Sequence, residues 1–271
     1  MQTLTDSQKI HYTLRIAAAM CFIGHGAFGI ITKAAWCNYF AVFGFDKAQA
    51  YQLMPVMGTV DILLGIFLLF NPVRAAAVWL VIWGIVTAAC RPLSGESFGE
   101  FAERAGNYGA PLALLVFAGG TDWKFKWLFS AIDPNKPVNE KSMNRVKWIL
   151  RSTAFLLLLG HGWLNLIQKP GLTNQYKALG FSNPANVSLL VGIFEIMAAI
   201  AVLVTPTRTL IVILFMWKMG SELFYPHFEI FEWVERGGSY GTLLALWLCL
   251  DTVEKPYIFK KYKHFPLTDN G

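Results

Sequence analysis

The chain has 271 residues, 55% of them hydrophobic and only 15% charged, with a mean hydropathy of +0.45 and a formal net charge of +6. That balance excludes intrinsic disorder, a coiled coil and a collagen-like chain, and it is far from an ordinary soluble domain, which carries about 25% charged residues. The positive charges lie mostly in loops beside apolar segments, where membrane orientation accounts for them, so nucleic acid is not an expected partner.

In chain order, a polar stretch ending at Thr13 leads into an apolar span near 14 to 32. This span opens on Arg15, carries Gly24-His25-Gly26 at its middle and closes on Lys33. It outruns a signal-peptide h-region and lacks a small-residue cleavage site, so a retained helix is predicted. A second span near 52 to 70 contains Asp61 and ends at the Asn71-Pro72 turn, and a third follows near 75 to 90. A loop from Arg91 to Gly106 bearing Glu96, Glu100 and Glu103 then enters the fourth span near 107 to 121. A linker from Asp122 to Lys147, with Asp133-Pro134-Asn135-Lys136-Pro137 at its centre, precedes four more spans near 149 to 168, 186 to 204, 209 to 225 and 239 to 253. The last is entered through a second acidic loop, Pro226 to Gly238. Stretches of about 15 to 20 residues cross about 30 Å of hydrocarbon as helix, several of these at the short end. The expected fold is an all-α membrane protein with eight transmembrane helices.

An even number of spans puts both termini on one side. Of the Lys and Arg residues, 15 fall on that side, seven opposite and one, Lys218, inside a span, so the positive-inside rule predicts a multi-pass protein of the cytoplasmic (inner) membrane with both termini cytoplasmic.

The chain also matches itself at an offset drifting from 136 to 132 residues. Arg15 meets Arg151, Gly24-His25-Gly26 meets Gly160-His161-Gly162, and Lys33 meets Lys169. Further on, Asp61 meets Glu195, Trp83 meets Trp217, and the run from Glu100 to Gly109 meets that from Glu232 to Gly241. Chance similarity of two apolar chains would match Leu and Val, not His, Lys, Arg and Glu. Four spans per copy make the repeats parallel, which predicts two four-helix bundles: 1–121, a cytoplasmic linker 122–147, and 148–271. Parallel halves also occur among transporters.

Depth arithmetic singles out four residues. At 1.5 Å per residue His25 lies about 15 Å from Arg15 and 12 Å from Lys33, and Asp61 about 15 Å from Asn71. His161 and Glu195 repeat the arrangement. Two imidazoles and two carboxylates are thus expected in one layer near the bilayer centre, where ionisable groups are costly unless paired or facing a cavity. Two readings follow. Each His pins two helices by bonding its carboxylate, or the layer binds a polar ligand such as a quinone headgroup and moves protons through His25, Asp61, His161 and Glu195. Haem b with His25 and His161 as axial ligands is a further alternative. No metal site is read from the sequence.

The glycines flanking each His permit close helix approach or ligand access. Lys33 and Lys169 read as interfacial anchors or as headgroup contacts. The two acidic loops share the pattern E-[FW]-[AV]-E-R-[AG]-G-[NS]-Y-G, which describes either an amphipathic segment at the outer interface or a lid. In the lid, Glu100 and Glu232 turn inward, Arg104 and Arg236 bind them or a ligand, and Tyr108 and Tyr240 supply hydroxyls. Lys218 and Glu222, one turn apart, are expected to pair with each other. Cys37 and Cys90 fall near the outer face, within reach of a disulfide in an oxidising compartment. No Walker loop, GxSxG elbow, HExxH or dinucleotide fingerprint occurs.

Together, Arg15, His25-Gly26, Lys33, the Gly44-Phe45 turn, Asp61, Pro72-x-Arg74 and a Gly-x-Tyr entry to the fourth helix resemble the DoxX/DoxD family of four-helix membrane proteins. The second copy is similar in more detail, with Glu195 and Gly237-Gly238-Ser239-Tyr240, whereas the first has Asp61 and Ala105-Gly106-Asn107-Tyr108. The resemblance spans nearly the whole chain as a tandem duplication. It implies four-helix units in the cytoplasmic membrane, and for some members a quinone-linked oxidoreductase subunit working with a soluble or membrane redox partner. More distant relatives act in cargo reception or assembly. The expected function is therefore a membrane component of a quinone-linked redox system, with a small-solute or ion transporter and a non-enzymatic assembly protein as the rival classes.

Overall fold

The computed structural model describes residues 3–119, 125–223 and 230–251. Asp122, Lys124, the 226–229 part of the second acidic loop and the basic tail from Lys255 lie outside the described residues. Among the described residues every regular element is helical, and Val73 and Ala131 form an isolated bridge. The first half contains α1 (Asp6–Ile30), α2 (Trp36–Ala41), α3 (Lys47–Phe70), α4 (Arg74–Leu93), α5 (Phe98–Glu103) and α6 (Ala105–Phe117). The short α7 (Phe125–Leu128) is followed by α8 (Glu140–Leu166), α9 (Pro170–Ala178), α10 (Pro184–Val204), α11 (Arg208–Leu223), α12 (Ile230–Glu235) and α13 (Gly237–Asp251).

Local chemistry sets the helix starts. Thr5 and Gln8 open α1 with a reciprocal capping box, and Asp46 and Gln49 open α3 in the same way. Pro170 and Pro184 stand in the first turns of α9 and α10, where a missing N–H costs nothing. Pro55 lies inside α3, and the hydroxyl of Thr59 donates to its carbonyl at 2.7 Å.

Among the described residues four helices, α1, α3, α4 and α10, are long and apolar enough to cross a membrane. On α3 and α10 the outward side chains are apolar, among them Leu63, Phe70, Leu190 and Val204. Where a final span was expected in each half, the described residues form two successive helices. With 13 residues α6 is about 20 Å long, and the described part of α13 has 15 residues. Each follows a six-residue helix, α5 or α12, across a break at Arg104 or Arg236. At both breaks the arginine carbonyl accepts from the backbone N–H three residues on, at 2.9 Å, from Asn107 and from Ser239.

The two halves on either side of 122–147 pack in an exchanged arrangement. α1 packs on α3 but also on α12 and α13, and α8 packs on α10 but also on α5 and α6. One apolar core accordingly runs through both halves, joining Ile10, Leu14 and Leu80 to Leu150, Val202 and Leu246. The glycines show why. A Cβ on Gly106 would meet Ser239 N at 2.6 Å, and one on Gly238 would meet Gly106 O at 2.6 Å, so the two helix breaks meet backbone to backbone. The described part of the linker is packed as well: Ile132 is buried, and α8 begins at Glu140 with Met143 and Val146 in the core.

Arginines tie the helix ends. Arg15 donates to the carbonyls of Leu68 and Leu69 at the end of α3, and Arg151 does the same for Leu203 and Val204 at the end of α10. These carbonyls are the ones a helix C-terminus leaves without partners. Arg74 donates to the carbonyls of Ala118, Ser130 and Ala131, fixing the linker against α4.

Candidate functional site

The structure brings each histidine to the carboxylate expected beside it. His25 of α1 has Nδ1 at 2.7 Å from Asp61 Oδ2 of α3, and Asp61 is fully buried. His161 of α8 likewise bonds through Nδ1 to Glu195 of α10, and Glu195 is fully buried. An ionised carboxylate only accepts, so Nδ1 carries the proton and Nε2 is the ring nitrogen left for another partner.

The Gly-His-Gly triplet is a two-sided contact. The second glycine meets the neighbouring helix of its own half: a Cβ on Gly26 would lie 2.5 Å from Gly58 O, and one on Gly162 would lie 3.0 Å from Gly192 O. The first glycine meets the opposite half, with a Cβ on Gly24 falling 2.3 Å from Glu235 N and one on Gly160 2.2 Å from Glu103 N. The exchange of α5 and α12 therefore delivers an acid to each histidine, Glu235 to the His25 site and Glu103 to the His161 site. Neither residue carries an expected role from the sequence beyond its place in an acidic loop. The E-x-x-E-R spacing was the available signal, but it does not say which half the acid serves.

The surroundings of the two pairs differ. His25 lines a cavity of about 330 Å³ with mostly apolar walls from α2, α3 and α4, including Trp36, Phe40, Met57 and Trp83, together with Arg91, Arg104, Asn107 and Glu235. Its ring lies 4.5 Å from that of Trp36. Neither Asp61 Oδ1 nor the indole N–H of Trp83 has a hydrogen-bond partner among the described residues, and both atoms are buried. In the second half the matching groups are joined, Trp217 Nε1 donating to Glu195 Oε1 at 2.9 Å. Aspartate is one methylene shorter than glutamate, which accounts for the open pair in the first half.

The second site is also more polar. Asn165 donates to the His161 carbonyl at 3.1 Å, Tyr176 donates to Asn165 Oδ1 at 2.8 Å, and Ser188 donates to the Asn165 carbonyl at 2.8 Å. Gly29, Phe40 and Met54 stand at the matching positions of the first half. His161 and Trp217 line a separate cavity of about 570 Å³ that shares no wall residue with the first. Burial raises the Tyr176 hydroxyl above the ordinary tyrosine range, so it remains a donor.

A third, polar cavity of about 590 Å³ forms a vestibule between the halves, lined by Lys33, Lys169, Glu100, Glu103, Arg104, Glu232 and Arg236 among others. Trp36, Tyr39, Arg91 and Arg104 line both this vestibule and the His25 cavity. Arg91 donates to the Tyr39 hydroxyl at 2.7 Å, which in turn donates to Glu96 at 2.6 Å. Burial raises the Tyr39 hydroxyl as it does that of Tyr176.

Of the residues expected in the lid, Glu100 turns inward and is bound by Arg104, whereas Glu232, Tyr108 and Tyr240 take other places. Glu100 is buried, accepts from Arg104 at 2.7 Å and is bonded by Lys169, so α5 is an internal helix against α8 and not a segment lying on the surface. Arg236 donates to Glu103 at 2.6 Å and stands 3.8 Å from Glu232, which is partly exposed. Lys33 lies 4.1 Å over the ring of Phe28. Tyr108 and Tyr240 line none of these three cavities; Tyr108 stacks on Phe101 and Tyr240 lies tilted against Trp233, each at 5.5 Å. All four cysteines are free thiols, Cys37 and Cys90 included. The expected Lys218–Glu222 pair does not form: Lys218 Nζ stands 4.0 Å from Glu195 Oε1, and Glu222 stands 3.7 Å from Arg236.

No protein-family model, no curated protein and no solved structure matches this chain.

Proposed function

We propose that this is an integral membrane protein made of two DoxX-like four-helix units in parallel tandem, and that its first site binds a quinone-like ligand. The quartet of α1, α3, α4 and the broken α5–α6 would span the bilayer, repeated by α8, α10, α11 and α12–α13, with both termini cytoplasmic. The four helices of spanning length and the apolar outward faces of α3 and α10 support the membrane setting.

The observation that carries the ligand is Trp83 Nε1, a buried donor without a partner among the described residues on the wall of the His25 cavity, with Oδ1 of the Asp61 that holds His25 unpartnered among the same residues. Buried donors and acceptors without partners cost about 1 to 3 kcal/mol each, and a ligand carbonyl at Trp83 would recover part of that. Apolar walls with a few convergent polar groups are what such a ligand needs. His25 would hold or release a proton at Nε2, Asp61 fixes its ring and stabilises the imidazolium, and Arg91 and Arg104 supply positive charge at the cavity wall. A bound quinone supplies two-electron, two-proton redox chemistry, and a partner subunit would provide the electrons. Haem held between His25 and His161 has no part in this proposal, because the two rings open into different cavities.

The test is binding of a short-chain ubiquinone or menaquinone analogue to the purified protein in nanodiscs. Micromolar binding that quenches tryptophan fluorescence, weakened at least tenfold by His25→Ala and by Trp83→Phe, is expected. Unchanged affinity in both variants refutes the site. Solute flux in proteoliposomes without quinone binding would favour transport.

A further inference from the structure

The His161 cavity has no occupant in the reading above, yet the internal match makes it the counterpart of the His25 cavity. Most of its wall positions repeat walls of the first at the offset of that match: His161 stands for His25, Phe181 for Phe45 and Trp217 for Trp83. The match therefore extends beyond a His–carboxylate pair to a whole cavity. Leu179 in place of Phe43 and Val191 in place of Met57 go with its larger volume, about 570 Å³ against about 330 Å³.

The polar groups of the two walls have opposite character. In the first cavity the free group is a donor, the indole N–H of Trp83. In the second, four donors are engaged: Trp217 Nε1 and His161 Nδ1 on Glu195, the Tyr176 hydroxyl on Asn165, and the Ser221 hydroxyl on the Lys218 carbonyl at 3.1 Å. Acceptors remain. Glu222, 5% exposed, lines this cavity where the first half has Ala88, and its Oε2 is buried without a hydrogen-bond partner among the described residues. His161 Nε2, the ring nitrogen without the proton, is a second acceptor, and the Gln175 amide on the same wall can accept or donate. A buried carboxylate oxygen without a donor is costly, and a carbonyl ligand cannot relieve it. A hydroxyl can. The charge is matched already, since Glu222 Oε1 is 3.7 Å from Arg236 and Glu195 is 4.0 Å from Lys218, so the cavity lacks a donor and not a further cation. Tyr176, Phe181 and Trp217 give it aromatic walls suited to a ring.

We propose that the second cavity is a binding site for a neutral, apolar phenol, whose hydroxyl donates to Glu222 Oε2 while its ring lies among the aromatic walls. The two halves then select opposite partners, the first a carbonyl at Trp83 and the second a hydroxyl at Glu222. The second assignment goes beyond the quinone reading and does not depend on it, because neither Trp83 nor a quinone enters.

The experiment compares 4-propylphenol with 4-propylanisole, the methyl ether that keeps the ring and chain but has no O–H to donate. Each is titrated calorimetrically into the full-length protein in nanodiscs, with partition into empty nanodiscs subtracted. The native protein is expected to bind the phenol saturably and at least tenfold more tightly than the ether, and Glu222→Ala, which copies Ala88 of the first half, is expected to abolish that difference. Equal affinity for phenol and ether overturns the proposal on the native protein alone, whatever the variant does. A preference for the phenol that survives in Glu222→Ala places the hydroxyl elsewhere and overturns it as well. So does tighter binding of 4-propylbenzylammonium than of the phenol, since the cavity would then be selecting a cation. No quinone enters these titrations, so failure here leaves the first-site assignment standing, and the reverse also holds.

Discussion

Replacing Gly160 by alanine tests the exchanged packing directly. The added Cβ would lie 2.2 Å from Glu103 N, 2.6 Å from Gly99 O and 2.7 Å from Ala102 C. All three neighbours are backbone, so none can rotate away, and α5 must retreat by about 1 to 1.5 Å to restore ordinary carbon contact. Overpacking of this kind typically costs about 1 to 3 kcal/mol. At about 2 to 4 °C per kcal/mol for a chain of this size, the melting temperature should fall by several degrees. Gly220→Ala is the matched control, because a Cβ there meets nothing within 4 Å and a helix-interior glycine gives up about 0.5 to 1 kcal/mol relative to alanine. Thermal unfolding of both variants in the same detergent, followed by intrinsic fluorescence, separates them. If Gly160→Ala melts at or above Gly220→Ala, α5 does not pack against α8 as described, and Glu103 loses its place beside His161.

The other predictions address single contacts. Asp61→Glu should let the longer carboxylate reach Trp83 as Glu195 reaches Trp217, raising stability by about 1 kcal/mol and weakening quinone-analogue binding; tighter binding would contradict the orphaned-pair argument. Arg15→Ala should destabilise by about 1 to 3 kcal/mol in a melting assay by leaving the α3 carbonyls uncapped, and Arg15→Lys should not restore the loss, since one ammonium cannot reproduce the fork that spans Leu68 and Leu69. Glu103→Gln removes the carboxylate shared by Arg104 and Arg236 and should cost about 3 to 5 kcal/mol, more than Glu232→Gln at the partly exposed rim. Alkylation of Cys90, which lines the His25 cavity, should slow when a quinone analogue is added, while Cys37 labelling should be indifferent; mass spectrometry of the labelled peptides reads both.

Much of the site was legible from the sequence because helical geometry is regular. A rise of 1.5 Å per residue is enough to place His25 level with Asp61, and His161 level with Glu195, once the ends of two neighbouring helices are known. The internal match carried the same inference to the second half. The acids delivered across the halves were not legible, since nothing local to Glu103 or Glu235 states which histidine it will meet. Lys218 and Glu222 illustrate the same limit: spacing four apart on one helix suggests a mutual pair, but a lysine side chain follows the nearest deep carboxylate, and that belongs to α10.

By itself the sequence determined the helical and apolar character of the chain, the repeated Gly-His-Gly and the carboxylate each histidine would bond. Those properties follow from composition and from period along a single chain. The tertiary structure decided how the halves share α5 and α12, why the first site keeps two polar atoms open while the second fills them, and that the vestibule shares walls with the first pair's cavity and not with the second's. These depend on a methylene more or less and on backbones approaching within the space that glycine leaves. Such distances are set by the packing of elements far apart in sequence.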